Sequence, residues 1–255
     1  MRITWWGHST ITLDYAGARL LTDPVLTYRI GHLRRRRGKV PDPIAADADA
    51  VLISHLHADH LHMTSLPRVA PRAKILIPRG AAWLVAKECG QGVGERCVEV
   101  EPGSQVQVGD VTITAVPANH DGRRGPWTSA RGPALGYRID GPVSAYYAGD
   151  TDLYDDMEGA IGTVDLALVP VGGWGPSLGP GHMNPARAVE AVRRLKARRA
   201  VPVHYGTFWP IGLEWLRPEL FLPPGEIFAK LLADDPVRVD VLEPGQSLEV
   251  TLDDR

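Results

Sequence analysis

The sequence predicts an α/β fold, in which helices cover the faces of β-sheets. Short apolar runs alternate with helical segments along the 255 residues, and this alternation is typical of sheets flanked by helices. The 27 glycines and 22 prolines fall between the short apolar runs, which indicates many strands joined by tight turns. A chain of this length can bury a substantial core, so we expect residues 1–255 to form one domain.

The first elements follow from local patterns. The segment RITWWGHSTITLDYAGARLLTDP predicts three strands. Residues 25–43 lack periodicity and are rich in basic side chains, so they predict a long loop. Continuous apolar runs, typical of strands covered on both faces, follow in ADAVLISH and RAKILIP. RGAAWLVAKECG has helical composition and ends at a glycine, as helices often do.

The middle of the chain predicts more strands and the clearest helix. Residues 97–122 form short strands separated by Pro-Gly and Gly-Asp turns. Three further strands are predicted in ALGYRI, VSAYYAGD and DLALVPVG. NPARAVEAVRRLKARRA predicts a helix, because Asn184 suits an N-cap, Pro185 is tolerated at the first helical position, and apolar residues form one stripe.

The last elements are a strand in AVPVHYG, a helix in PPGEIFAKLLADD, and a closing hairpin over residues 237–252. The only candidate for a change between two halves of the chain is the Gly- and Pro-rich stretch at residues 125–133.

Composition says little about partners. Formal net charge is −2, from 28 basic and 30 acidic residues, so nothing global indicates nucleic acid or an anionic membrane. No apolar run approaches the roughly 18 residues that span a bilayer, and the first residues alternate like a strand rather than a signal peptide. Two free thiols, Cys89 and Cys97, are favoured over a disulfide between them. We expect a cytoplasmic protein without a transmembrane segment; oligomeric state and peripheral membrane contact stay open.

The stretch VLISHLHADHLH, residues 51–62, is the strongest functional signal. His55 and His57 point the same way because side chains alternate along a strand, and Asp59 and His60 follow in a turn. Three imidazoles this close would repel each other if protonated and would leave polar edges unpaired if buried. A bound metal resolves both problems, and imidazole with carboxylate suits zinc, iron or manganese.

Three further candidate ligands each follow an apolar strand. They are His120 after TITAVPAN, Asp150 after AYYAG and His204 after AVPV. Open α/β sheets place their sites at the carboxyl ends of strands, so this repeated placement predicts one common site. Asp150 taken alone could equally be a turn residue or a helix cap.

The motifs SHLHADHL, PANHDG, YYAGDT and PVHYGTF, in that order, resemble those of the metallo-β-lactamase-fold hydrolases. WWGHSTITLD, LLTDPV and GHMNPARAVEA resemble the branch that holds N-acylphosphatidylethanolamine-hydrolysing phospholipase D and the ascorbate-6-phosphate lactonases. The resemblance implies a four-layer αβ/βα sandwich of two half-domains, with the site between the edges of the sheets. It assigns the ligands of one ion as His55, His57 and His120. The ligands of a second ion are then Asp59, His60 and His204, and Asp150 bridges the two ions. β-Lactamases often carry Cys at the position of Asp150, so the Asp argues against that activity.

These ligands predict a hydrolase with two divalent metal ions, zinc first, with manganese or iron as alternatives. Two ions roughly 3.5–4 Å apart can lower the pKa of a shared water toward about 7, so the expected nucleophile is a hydroxide between them. We assign catalytic roles to Asp59, Asp150 and His182. His182, in GHMNP, is either a substrate contact or general acid, or a loop histidine near a helix N-terminus. Asp23 is expected to support a metal-bound imidazole, or else to be a turn residue ahead of Pro24.

The substrate is less well defined. The basic run Arg34, Arg35, Arg36 and Arg37 is either a solvated loop or a grip for a phosphate or lipid headgroup. The resemblance places His8 near the floor of the site. Tryptophans that could line an apolar pocket, or belong to the core, are Trp5, Trp6, Trp127, Trp174 and Trp209.

We therefore expect hydrolysis of a phosphodiester or a related ester or lactone in a small-molecule or lipid-like anionic substrate. A nucleic-acid phosphodiesterase is the alternative, although it would need a broader basic surface. A diiron redox protein is disfavoured, because such proteins tend to have a carboxylate where His57 stands. A purely structural metal site is also disfavoured, because such sites are usually closed and rich in sulfur.

Overall fold

The computed structural model describes residues 1–125 and 128–251, and all structural statements below concern these residues. The strands are β1 (Arg2–Gly7), β2 (Thr10–Tyr15), β3 (Ala18–Thr22), β4 (Arg29–Ile30), β5 (Leu33–Arg35), β6 (Ala50–Leu52), β7 (Lys74–Pro78), β8 (Cys97–Val100), β9 (Gln105–Val108), β10 (Val111–Pro117), β11 (Leu135–Asp140), β12 (Ala145–Tyr147), β13 (Leu166–Pro170), β14 (Arg199–Val203), β15 (Phe208–Pro210), β16 (Arg238–Val239) and β17 (Gln246–Glu249). The α-helices are α1 (Ala82–Cys89), α2 (Gln91–Gly94), α3 (Met157–Ile161), α4 (Pro185–Arg194) and α5 (Pro223–Leu231). Short 3₁₀ turns cover Pro43–Ala46, Leu66–Arg68 and Pro218–Leu220.

Two seven-stranded sheets carry the fold. The first has the strand order β17-β1-β2-β3-β6-β7-β8, and the second has the order β16-β14-β13-β12-β11-β10-β9. In each sheet an antiparallel part continues into parallel strands, from β3 to β8 in the first and from β12 to β16 in the second. The carboxyl ends of parallel strands β6, β12 and β14 lead directly to His55, Asp150 and His204.

The layers are helix, sheet, sheet and helix. One buried apolar cluster joins the facing sides of the sheets, with Ile11 from the first and Tyr137 from the second. On its other face the first sheet packs against α1 through Leu84. Val192 of α4 and Phe228 of α5 belong to the cluster that includes the second sheet. This arrangement confirms the predicted α/β class and the αβ/βα sandwich.

Helix α4 begins as its sequence predicts. The side chain of Asn184 accepts a hydrogen bond from the backbone N–H of Arg187, and Pro185 occupies the first turn. Val189 and Val192 are buried on one face of the helix. The cap therefore fixes the chain immediately after His182, which lies two residues before it.

The basic segment 25–43 is not the continuous loop that its lack of periodicity predicts. Strands β4 and β5 form a small sheet with β15, and the buried side chains of Ile30 and Leu33 pack against Phe208. The prediction was wrong because the strand that completes this sheet lies far away in the sequence. Local periodicity cannot reveal such a partner.

The predicted closing hairpin is also wrong. Strand β16 pairs in parallel with β14 in the second sheet, whereas β17 pairs antiparallel with β1 in the first. The two segments are adjacent in sequence but complete the edges of different sheets. The chain passes from the first sheet to the second between Val100 and Gln105, upstream of the change expected near residues 125–133. That stretch joins β10 to β11 within the second sheet, and its residues 126 and 127 lie outside the described ranges.

Two expectations about the whole chain concern thiols and membranes. Within the described residues, Cys89 and Cys97 are both free thiols. None of the described helices has the length and apolar character needed to pass through a bilayer.

Candidate metal centre

The loop after β6 bends so that its polar side chains converge. The backbone carbonyl of His57 accepts hydrogen bonds from the N–H groups of His60, at 3.1 Å, and Leu61, at 2.9 Å. This tight turn follows a strand whose residues are all buried, so the turn cannot move far from the sheet edge. It brings Asp59 and His60 back beside His55.

The first group of ring nitrogens belongs to His55, His57 and His120. Nδ1 of His57 lies 2.9 Å from Nε2 of His55 and 3.1 Å from Nε2 of His120. Two nitrogens bound to one tetrahedral zinc ion at 2.0–2.1 Å would lie roughly 3.3 Å apart. The observed spacing is close to that value, so the three rings can share one ion.

The second group contains His60, His204 and Asp59. Nε2 of His60 lies 3.1 Å from Nε2 of His204, and Asp59 Oδ2 lies 3.4 Å and 3.7 Å from these two nitrogens. The carboxylate of Asp150 stands between the groups. Its Oδ2 is 3.1 Å from Nε2 of His60 and 3.9 Å from Nε2 of His55, and its Oδ1 is 3.1 Å from Nε2 of His204.

The outer contacts of three imidazoles fix which nitrogen carries the proton. Nδ1–H of His120 donates to the Gly181 carbonyl at 2.8 Å, and Nδ1–H of His204 donates to the Gly172 carbonyl at 2.9 Å. Nδ1–H of His60 donates to Asp23 Oδ2 at 2.6 Å. Each Nε2 of a neutral ring therefore presents a lone pair to the centre.

These inward-facing atoms suit a cation. Two lone pairs only 3.1 Å apart, on His60 and His204, repel each other unless a proton or a metal ion lies between them. Oδ1 of Asp150 is buried and accepts no hydrogen bond from the described residues. The donor set of neutral imidazoles and carboxylates thus fits divalent metal ions of the zinc, manganese or iron type.

The pKa values of the histidines reflect the same electrostatics. Burial lowers the pKa of His120 to about 4, and burial together with the charge on His60 holds the pKa of His55 well below its usual range. Burial would also lower the pKa of His60, but the negative charges of Asp150, Asp59 and Asp23 hold it well above its usual range. The carboxylates therefore attract positive charge into the centre, which a divalent cation would supply.

Asp23 supports the second group from behind. Its carboxylate accepts hydrogen bonds from the backbone N–H of Ser54 at 2.8 Å, from the Ser54 hydroxyl at 2.5 Å and from the Tyr147 hydroxyl at 2.5 Å, in addition to His60. Because the Ser54 hydroxyl donates to Asp23, it accepts from Nδ1–H of His55 at 3.0 Å. Asp23 thus holds two ligand rings, one directly and one through Ser54.

Asp59 has its own supporting pair. Nε2–H of His8 donates to Asp59 Oδ2 at 2.8 Å, and Nε1–H of Trp174 donates to the same oxygen at 3.0 Å. Burial lowers the pKa of His8 to about 4, and His204 acts in the same direction, so His8 is a neutral donor at neutral pH. His8 is itself buried, so this hydrogen bond is shielded from solvent.

Three of the six described non-glycine residues with positive φ lie at the centre. His8, Asp23 and His204 have φ values of +53°, +31° and +60°, a region that residues other than glycine rarely adopt. Such strain costs of order 1–3 kcal/mol per residue and clusters at functional sites. The surrounding hydrogen bonds keep these three side chains directed at the centre.

His182 lies at the edge of the centre. Its Nδ1–H donates to the Gly179 and Pro180 carbonyls, each at 3.1 Å, and its Nε2 faces Asp150 Oδ2 at 3.3 Å. Burial alone would lower the pKa of His182, but the hydrogen bond and charge of Asp150 raise it to about 9.

A cavity of about 620 Å³ opens onto the centre. His57, Asp59, Asp150, His182 and His204 reach its wall. Apolar side chains cover much of the remainder, and they include Ile30, Leu33, Trp174, Pro176 and Leu178. The polar side chains of the centre therefore border a cavity whose wall is largely apolar.

The basic run has other partners. Arg34 and Arg36 each bind Glu214 at 2.9 Å, and Arg37 forms an ion pair with Glu243 at 2.5 Å. None of these three, nor the buried Arg35, lies among the described residues that line the cavity. Acidic residues from distant loops pair with Arg34, Arg36 and Arg37, so the anion-grip alternative finds no support at this cavity.

The tryptophans separate into two groups. Trp174 lines the cavity, whereas Trp5 is buried against Tyr205 and Trp209 is buried in the core. Trp6 is partly buried, and its Nε1–H donates to Thr12. Trp127 lies outside the described residues.

Sequence analysis assigned no role to three residues near the centre. Ser54 and Tyr147 support Asp23, and Arg124 lines the cavity while its Nη1 donates to the carbonyls of Leu56 and Leu61. Tyr147 could have been found from its place three residues before Asp150. Ser54 and Arg124 lie in loops whose contacts only the fold defines.

Comparisons with known proteins give the chain its family. Residues 18–205 match the family model described as the beta-lactamase superfamily domain. A UPF0173 metal-dependent hydrolase of Methanopyrus kandleri is 34% identical over 258 residues, which cover 98% of this chain and 100% of the relative. Another, from Opitutus terrae, is 34% identical over 263 residues with the same coverage.

Solved structures share the fold. Igni18, a metallo hydrolase from Ignicoccus hospitalis, superposes with a TM-score of 0.72 at 23% identity and covers 98% of this chain and 99% of its own. The isothiocyanate hydrolase from Delia radicum gut bacteria has a TM-score of 0.73 at 17% identity, with the same coverage. The chain belongs to the beta-lactamase superfamily and, within it, to the UPF0173 family, and it is a metal-dependent hydrolase with a His/Asp metal-binding cluster.

Proposed function

We propose that this protein is a dinuclear hydrolase that cleaves a phosphodiester or a related carboxylic ester or lactone. One observation carries the proposal: Asp150 Oδ2 lies 3.1 Å from His60 Nε2 and 3.9 Å from His55 Nε2, between two groups of inward-facing ligand atoms. A carboxylate in this position can hold two cations close together. The cavity beside it leaves room for a substrate.

The residues divide into two ligand sets. The first ion would bind His55, His57 and His120, the second would bind Asp59, His60 and His204, and Asp150 would contact both. When bound, such ions lower the pKa of a shared water and take up negative charge that develops on the scissile group. Zinc is our first candidate, with manganese and iron as alternatives that accept the same ligand types.

The chain's own groups orient this chemistry. His8 and Trp174 fix the oxygen of Asp59, so the second ligand set keeps its geometry without substrate. We assign His182 the role of a general acid, because its Nδ1–H is held by backbone carbonyls while Nε2 borders the cavity. A proton on Nε2 can then be donated to the leaving oxygen.

The shape of the cavity favours a small or lipid-like substrate over nucleic acid. Apolar side chains surround the approach to the centre, whereas a nucleic-acid groove would need phosphate-binding cations along its length. The sequence resemblance to the phospholipase D and ascorbate-6-phosphate lactonase branch supports an ester, lactone or phosphodiester. We also propose a reducing, cytoplasmic compartment, which the free thiols Cys89 and Cys97 support.

A substrate panel tests the proposal. Protein of measured metal content would be assayed with bis-p-nitrophenyl phosphate, an N-acylphosphatidylethanolamine, a sugar lactone and single-stranded RNA. We expect turnover of at least one of the first three and none of the RNA. Turnover of RNA alone would favour the nucleic-acid alternative, and no turnover with fully loaded protein would refute the proposed substrates.

The bridging role of Asp150 gives a variant test. Asp150→Asn should reduce bound metal from about two ions to about one and lower kcat by more than roughly a hundredfold, because the amide is a poorer metal ligand. Asp110→Asn, in an exposed turn, is the matched control and should leave both quantities unchanged. Unaltered metal content and rate in Asp150→Asn would contradict the bridge.

A further inference from the structure

Arg124 is the one Lys or Arg side chain among the described residues that line the cavity. Its guanidinium is half-buried, and burial lowers its pKa, which reflects the cost of holding a charge there. Nη1 donates to the carbonyls of Leu56 at 2.9 Å and Leu61 at 2.6 Å. Both of these partners are neutral.

The charge of Arg124 has no acidic partner within 4.0 Å among the residues that the structure describes. Arg34, Arg36 and Arg37, in contrast, each form an ion pair with a glutamate. Glu88 and Asp59 attract this charge only from beyond ion-pair distance. A half-buried cation at a cavity wall without a direct ion pair can bind an anion, because charge-assisted hydrogen bonds are the strongest of their kind.

The position of Arg124 relates this site to the metal centre. The two carbonyls that it binds lie immediately before His57 and immediately after His60, so the guanidinium spans the loop that carries three metal ligands. The apolar wall formed by Ile30, Leu33 and Leu178 belongs to the same cavity. A single molecule can therefore contact the ligand loop, the apolar wall and the cation.

We propose that Arg124 determines specificity by binding a carboxylate or phosphate group of the substrate that is separate from the bond being cleaved. The inference rests on the proposed function, since it adds a recognition group to the same site. The substrate class is then an ester, lactone or phosphodiester with an apolar body and an additional oxyanion. The basic run at Arg34–Arg37 has no part in this recognition.

A binding experiment on zinc-loaded protein tests the proposal without requiring turnover. Calorimetry would compare 4-phenylbutyrate and 3-phenylpropyl phosphate with the uncharged 4-phenylbutyramide. We expect each anion to bind about ten- to a hundredfold more tightly than the amide, the range typical of a hydrogen bond to a charged group. Unequal preference for the two anions would identify carboxylate or phosphate as the better match, and equal binding of all three would overturn the proposal.

Variants separate Arg124 from the metal ions as the source of the preference. In Arg124→Gln, which retains a donor for the backbone carbonyls, the preference should fall below about threefold. Arg36→Gln, the matched surface control, should retain the full preference. A preference that persists in Arg124→Gln would place the anion on the metal ions and refute the inference.

A second variant covers the case in which Arg124→Gln loses metal or stability. Arg124→Lys keeps the positive charge, and at full metal content it should retain at least a fivefold preference for the anions. Loss of the preference in this variant would count against the charge of Arg124 as the recognition element. Binding is measured directly and does not depend on turnover. If the protein prefers the anions but hydrolyses nothing in the substrate panel, only the proposed function is refuted.

Discussion

At the residue scale, Asp23 has the densest set of hydrogen bonds around the centre. Its buried carboxylate accepts from Ser54, Tyr147 and His60, and its backbone adopts a φ of +31°. A carboxylate that hydrogen-bonds a metal-bound imidazole fixes the ring orientation and makes the ligand nitrogen more basic. The strain at Asp23 is therefore offset by the contacts that direct it at His60.

Asp23→Asn should weaken metal binding about ten- to a hundredfold, because the amide removes the negative charge that strengthens His60 as a ligand. Competition with a chromophoric chelator would measure the affinity. Tyr147→Phe is the control, since it removes one donor to the same carboxylate but keeps the charge, and its effect should be smaller. Wild-type affinity in Asp23→Asn would show that Asp23 is only a turn residue.

His182 is the residue whose chemical role can be separated by substrate design. His182→Gln should reduce kcat about a hundredfold on esters with alkoxide leaving groups, within the usual range for a general acid. The same variant should have little effect on p-nitrophenyl leaving groups, which depart without protonation. Rates would be compared across a leaving-group series at constant metal content. A loss of equal size on every substrate would remove the acid role and leave a substrate contact.

At the element scale, strand ends bring the centre together. Gly149 turns the chain between β12 and Asp150 with a φ of +60°, and a Cβ at this position would lie only 2.5 Å from the Cβ of Ser54. A glycine is required there because both the backbone angle and the space exclude a side chain. The turn places Asp150 against the loop that follows β6.

The sequence could predict these strand ends because their signals are local. An apolar run precedes each of the residues His55, His120, Asp150 and His204. The run identifies a strand, and the polar residue after it identifies the end of the strand that faces the site. Asp23 was a candidate support from the sequence, but its own partners could not be predicted, because Tyr147 meets Asp23 across 124 positions of the chain. The partners of the basic run could not be predicted for the same reason, since Glu214 and Glu243 come from distant loops.

Helix α4 gives a prediction about stability at this scale. Asn184→Ala should lower the free energy of unfolding by about 1 kcal/mol, because the N–H of Arg187 loses its capping partner. Urea denaturation would measure the change. Asn184→Ser restores a capping oxygen and should recover most of the loss. A destabilisation shared equally by both variants would mean that the cap contributes nothing and that other contacts of Asn184 matter.

At the scale of the whole molecule, the candidate centre joins the two sheets. His55, His57 and His60 follow β6 of the first sheet, whereas His120, Asp150 and His204 follow strands of the second. Each proposed ion would bind ligands from both sheets. Bound metal therefore does more than supply chemistry, because it would link the two layers that face each other across the core.

Metal removal should consequently destabilise the entire fold. A ligand present at a thousand times its dissociation constant adds about 4 kcal/mol to the stability of the folded state. For a chain of this size, about 1 kcal/mol corresponds to a shift of roughly 2–4 °C in Tm, so chelation should lower Tm by about 8–16 °C. Differential scanning calorimetry before and after dialysis against a chelator would measure the shift.

Metal add-back provides the control for this prediction, because restoring zinc or manganese should return Tm to its starting value, whereas magnesium, which prefers oxygen ligands, should not. The Asp150→Asn variant should show a smaller chelator-induced shift than the wild type, since it would begin with fewer bound ions. A Tm that chelation leaves unchanged, in protein confirmed by elemental analysis to have lost its metal, would mean that the sheets are held together by the apolar core alone. In that case the ligands from the two sheets would meet without any energetic link through the ions.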